Sequence, residues 1–116
     1  MSLRDYSGPL NPAALEALRL LDDDDSCSTS KQLIDIYITS SQTYLQRINS
    51  SLNPDTLREV AHTWKSSSMS VGAENLAMLC QSLEENSTDQ TIVHEIIDRI
   101  KKEFSDVLLS LNSVYK

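Results

Sequence analysis

The chain has 116 residues, the size of one ordinary domain and too short to build two cores. Its formal net charge of −7 excludes an electrostatic grip on nucleic acid or on an anionic membrane surface, since both need clustered Lys and Arg. Only 2 glycines and 3 prolines leave few places to turn, and Leu and Ile supply most of the apolar content, so an all-α fold is expected.

In chain order, residues 1–9 read as an N-terminal tail whose first three, "MSL", have the look of an expression scar, and a single domain is expected over 10–114. "NPAALEALRLL" offers Asn11 as an N-cap with Pro12 at the first helical position, and puts Leu15, Leu18 and Leu21 on one side of a short helix. "DDDDSCST" follows as a solvated loop, too flexible to preset a metal site. From about Ser30 to Asn49, Leu33, Ile34, Tyr37, Tyr44, Leu45 and Ile48 recur at three- and four-residue intervals, with Ser41 completing the stripe of a long amphipathic helix. Asn53, Pro54 and Asp55 repeat the start signal for the next helix. Gly72 marks its end, and Leu76, Leu79, Cys80 and Leu83 stripe a fourth segment. The last helix, roughly 89 to 114, carries Val93, Ile96, Ile97, Ile100, Phe104, Val107, Leu108 and Leu111, nearly a heptad seam. Four long amphipathic segments with short loops predict an antiparallel four-helix bundle with a short extra N-terminal helix.

Cys80 sits on an apolar stripe and Cys27 in a polar run, which argues against their pairing and for a reducing, cytoplasmic compartment. The chain shows neither a signal-peptide pattern nor an apolar run long enough to cross a bilayer, so no direct membrane contact is expected.

One residue stands out on the third long segment. Leu57, Val60, Ala61 and Trp64 define its buried direction, and His62 lies roughly 140° from the centre of that stripe, facing solvent. Arg58, Glu59, Lys65 and Ser66 are its helical neighbours, three or four positions away. A neutral imidazole is nucleophilic near pH 7 without an activating base and can take a phosphoryl group on a ring nitrogen. Arg58 and Lys65 would disfavour the imidazolium and could pair with phosphoryl oxygens, while Glu59 acts in the opposite sense. Small Ser66 and Ser67 leave room for a second protein.

The run "AHTWKSSSMSVGAENLAMLCQSLE" resembles the signature of the histidine-containing phosphotransfer (HPt) domain of phosphorelays: a His, then Leu, Lys, Gly and small residues, a Gly-Ala turn, and a Leu-rich helix ending in Leu-Glu. The matching positions are His62, Trp64, Lys65, Ser66, Gly72, Ala73, Leu76, Leu79, Cys80, Leu83 and Glu84, and the resemblance extends over about residues 10 to 114. It implies a carrier in two-component signal transduction. His62 would accept a phosphoryl group from the aspartate of a receiver domain and pass it to another receiver. Lys65 would stabilise the transferring group; Arg58, Glu59, Ser66 and Ser67 would meet the partner. No cofactor or metal is implied on this chain, since the Mg²⁺ belongs to the receiver, and neither ATP binding nor self-phosphorylation is expected. The resemblance further suggests the C-terminal module of a bacterial hybrid sensor histidine kinase, a monomer when isolated, with a parent chain anchored elsewhere in the inner membrane; a free-standing phosphotransfer protein is the other arrangement.

Two positions depart from the family pattern. Trp64 replaces the usual Leu, so its indole N–H needs a partner or a place at the rim. Ser66 replaces the usual Gly beside the histidine, where a hydroxyl either crowds the phosphoryl group or donates to it. A rival reading is a non-catalytic helical adaptor that binds a receiver or other protein; the His62 and Lys65 pair speaks against it. A hydrolase lacks the pocket that would position a triad on a convex helix. His94, Tyr37 and Tyr44 read as structural or incidental, and Glu84 and Glu85 as a solvated helix end.

Overall fold

The computed structural model describes residues 8–20, 22, 29–51 and 53–114. The first seven residues of the tail, Leu21, Cys27 and the rest of the Asp run after Asp22 lie outside the described residues. Five helices follow in order: α1 (Pro12–Arg19), α2 (Thr29–Ser50), α3 (Pro54–Ser70), α4 (Glu74–Glu85) and α5 (Gln90–Val114).

The helix starts are built as the sequence signals predict. The Asn11 carboxamide accepts from the Ala13 N–H at 2.9 Å, and Asn53 accepts from the N–H groups of Asp55 and Thr56 at 2.9 and 3.4 Å. Each is followed by a proline whose missing N–H costs the first turn nothing. Asp89 caps α5 through Thr91 and Ile92. For α2 the carboxylate comes from across the loop: Asp22 accepts from the backbone N–H and the hydroxyl of Ser30, both at 2.7 Å. These bonds, the backbone one first, hold the Asp22 carboxyl below the usual range.

Helices adjacent in sequence pack on one another, and α5 closes the bundle against α2. The core runs through the predicted stripes: Ile34, Tyr37 and Ile48 of α2, Leu57, Val60, Ala61 and Trp64 of α3, Leu76, Cys80 and Leu83 of α4, and Val93 through Leu111 of α5. Leu33 departs from expectation. It is 40% exposed and lines a groove with Ile36, Leu18 and Val71.

Two pairs of polar groups are matched inside the bundle. The Trp64 indole N–H donates to Ser41 Oγ at 2.9 Å, and the Tyr37 hydroxyl and Ser68 Oγ lie 2.8 Å apart. Trp64 is fully buried between the rings of Tyr44 and Phe104, with centroids 6.0 and 5.6 Å away. Its departure from the family's Leu is therefore accommodated inside the bundle, with Ser41 as the partner the indole requires.

Gly72 makes the bend between α3 and α4 with φ of +81°, a conformation open to glycine at little cost. Its carbonyl accepts from the Asn11 N–H at 2.8 Å, and the Asn11 amide donates to Glu74 at 3.0 Å. One asparagine thus caps α1 and pins it to the hinge of the α3–α4 hairpin.

Candidate functional site

The buried residues of α3 fix where the rest of that helix points. With Val60, Ala61 and Trp64 all turned into the core, His62 projects outward and its side chain is 65% exposed. The next helix supplies what the histidine touches. His62 Nδ1 lies 3.1 Å from Glu84 Oε2, and Lys65 Nζ lies 3.3 Å from Glu84 Oε1. One carboxylate on α4 therefore bridges the two α3 residues singled out in the sequence.

Glu84 is only 25% exposed and Lys65 29%, so the bridge is partly withdrawn from water beneath a well-exposed imidazole. Beside it, Leu83 and Cys80 anchor α4 in the core and set the carboxylate's height. The expectation that Glu84 belongs to a solvated helix end is corrected here; only Glu85 fits it, exposed and in contact with Gln81. The error has a geometric cause. His62 and Glu84 stand at equal distances in sequence on either side of Ala73, so the two arms of the α3–α4 hairpin bring them level, a relation invisible along either helix alone.

The other predicted site residues are placed as follows. Arg58 makes an ion pair with Asp55, one turn back on α3, and Glu59 reaches Arg47 of α2 at 3.8 Å. Both charges flank the histidine and neither is in contact with it. Ser66 is exposed, one turn beyond His62. Ser67 is half-buried and donates to the Trp64 carbonyl at 3.1 Å, a bond within its own helix. His94 is exposed on α5. Lys65 and Ser66 also border a groove between α3 and α4 completed by Met69, Ala77, Met78 and Gln81, with Met69 and Met78 52% and 68% exposed.

The arrangement has a definite chemistry. A carboxylate accepting at Nδ1 holds the proton there and leaves the lone pair on Nε2, which makes no hydrogen bond among the described residues. The result is a nucleophilic nitrogen directed to solvent, with an ammonium group close by on the same face. The imidazole stands 65% exposed on the helix surface, so a reacting group borne by another macromolecule can reach it.

Comparison with known proteins agrees with that geometry: the model of the Hpt domain matches residues 32–109, most of the chain and all of the helix that bears His62. The chain belongs to the Hpt domain family. In fold, this Hpt domain is similar to histidine-containing phosphotransfer protein B (HptB) from Pseudomonas aeruginosa PAO1, with 23% identity and a TM-score of 0.78 over 96% of this chain and 100% of that one. No curated protein sequence matches closely enough to count as a relative. The family establishes a phosphorelay role in two-component signalling and an interaction with receiver domains. No helix among the described residues is long and apolar enough to cross a membrane.

Proposed function

We propose that this Hpt domain carries the phosphoryl group on Nε2 of His62, taking it from one receiver aspartate and giving it to another. The observation that carries the reading is the Glu84 contact at Nδ1, which leaves Nε2 as the exposed, proton-free nitrogen. In the forward step the Nε2 lone pair bonds phosphorus as the acyl phosphate's P–O bond breaks, and the electron pair leaves with the donor carboxylate. Lys65 offers charge to the phosphoryl oxygens as the group moves. The metal and the remaining oxygen-stabilising groups come with the receiver, which makes presentation this domain's main task.

The groove beside the histidine suits that visitor. Met69 and Met78 give an adaptable apolar surface beside Lys65 and Ser66, of the kind that accepts more than one partner. Arg58 and Glu59, exposed at the other end of the same face, would contribute rim contacts, and Ser66 lies between the groove and the nucleophile.

The test is transfer from phosphorylated receiver domains to this protein and to His62→Gln. Acid-labile label on the wild type and none on the variant is the expected result. Lys65→Ala should retain labelling at a rate lowered roughly ten- to hundredfold, the worth of one hydrogen bond to a charged group. Receiver binding with no label on either protein would overturn the carrier in favour of an adaptor.

A further inference from the structure

The bridge between His62, Glu84 and Lys65 has a consequence for charge that goes beyond holding the ring. When a neutral imidazole attacks through Nε2 and keeps its Nδ1 proton, the phosphorylated ring carries a positive charge. Either that proton departs to solvent, or a neighbouring anion offsets the charge. The geometry assigns this second role to Glu84, as a positioning residue: its carboxylate is the counter-charge that lets His62 keep its Nδ1 proton through transfer, so that phosphoryl enters and leaves with no proton exchanged. The inference rests on the carrier reading and adds to it how the phosphohistidine is kept ready to leave.

The step balances in both directions. On loading, the N–P bond forms, the donor's P–O bond breaks, and the ring becomes positive beside the negative Glu84. On delivery, the acceptor carboxylate forms a new O–P bond, the N–P bond breaks with its electron pair returning to Nε2, and the ring is neutral again with the same proton on Nδ1. A positively charged ring is the better leaving group, so the carboxylate favours rapid discharge over storage.

The charges around the ring leave this role to Glu84. On α3, Arg58 is held by Asp55 and Glu59 by Arg47 of α2. On α4, Gln81 is neutral and in contact with the exposed Glu85. Among the described residues, Glu84 is the one carboxylate within ion-pair distance of the imidazole. Lys65 modulates it. In the unphosphorylated protein its ammonium occupies Oε1 and blunts the carboxylate's charge. Once the phosphoryl group arrives, Lys65 can pair with those oxygens instead, and the full charge of Glu84 falls on the ring.

The experiment uses phosphoramidate, a small-molecule donor that loads histidine without any receiver, on the wild type, Glu84→Gln and Glu84→Asp. Hydrolysis of each phosphoprotein is followed by ³¹P NMR from pH 5 to pH 9. Gln keeps the shape and an acceptor for Nδ1–H but no charge; Asp keeps the charge and loses reach. Expected are a nearly flat rate for the wild type up to pH 8, and a fall of about tenfold per pH unit above neutrality for Glu84→Gln, the slope of losing one proton. The rates of these two proteins should converge at pH 5, where solvent protonates either ring, and Glu84→Asp should stay closer to the wild type than Gln does. A Gln profile that follows the wild type overturns the inference, as does an Asp variant worse than Gln, the order a purely steric role predicts. Failure of phosphoramidate to label wild-type His62 overturns it as well. Transfer from receivers, measured separately, decides the carrier reading, so the two can fail independently.

Discussion

Replacing Gly72 with alanine probes the hinge on which the site's two helices turn. At φ of +81° an L-residue is strained, at roughly 1–2 kcal/mol. The added Cβ would also stand 2.8 Å from both the Ala14 Cβ and the Asn11 carbonyl oxygen, and 3.1 Å from the Asn11 nitrogen. Two of these neighbours are backbone and cannot swing aside, so α1 must lift and release the bond from the Asn11 N–H to the Gly72 carbonyl, worth about 1 kcal/mol. Together Gly72→Ala should cost about 2–3 kcal/mol, which in a domain of this size lowers Tm by roughly 8–20 °C. Urea denaturation measures the total, and hydrogen exchange at the Asn11 amide reports whether α1 has detached. A loss under about 0.5 kcal/mol, with that amide still protected, would refute the claim that the hinge is closed to a side chain.

Two titrations bear on groups away from the histidine. Burial, first among the causes, pushes the Cys80 thiol up to about 12, with nearby Lys65 acting against it and Glu84 with it. In a Cys27→Ser background, a thiol reagent at pH 8 should therefore modify Cys80 only as fast as the bundle opens, with urea accelerating it; rapid native labelling would contradict the burial. Asp22, held low by Ser30, contributes stability that is present above the ordinary carboxyl pKa of about 3.9 and is lost as pH falls through its lower folded value. Wild type should thus be more stable than Asp22→Ala at pH 6 in thermal melts, with the gap narrowing as the pH falls below the ordinary carboxyl range; a constant gap would show that the charge is not what ties Asp22 to α2.

Much of this molecule is legible from local rules. Two Asn-Pro starts, a lone interior glycine and four apolar stripes place the helices, because each signal acts within a turn of its own position. The outward direction of His62 follows from the stripe of its own helix. Glu84 escaped the same reasoning, since its partner lies on another helix and its neighbours in sequence describe only a polar end. Reflection of the chain about Ala73 is the signal that could have found it: in a tight helical hairpin, residues equidistant from the turn come level. Arg58 shows the converse limit of spacing: it stands one turn from the histidine, while its guanidinium pairs with Asp55, three residues away. Leu33 likewise reads as core by period and is 40% exposed, because periodicity along one helix does not report what packs over it.

A nucleophile on a convex surface has no walls to hold it, yet transfer between aspartates demands that one nitrogen be found in nearly the same place at every encounter. Here that accuracy is made on the far side of the helix. Apolar packing tolerates small rotations of a helix, whereas the bonds from Trp64 to Ser41 and between Tyr37 and Ser68 do not. A turn of α3 by one residue, about 100°, would orphan both pairs and swing His62 away from its solvent-facing position. Two serines that never meet a phosphate thus act as the fixed points of a bearing, and the aim of an exposed atom is set by hydroxyl groups in the dry interior.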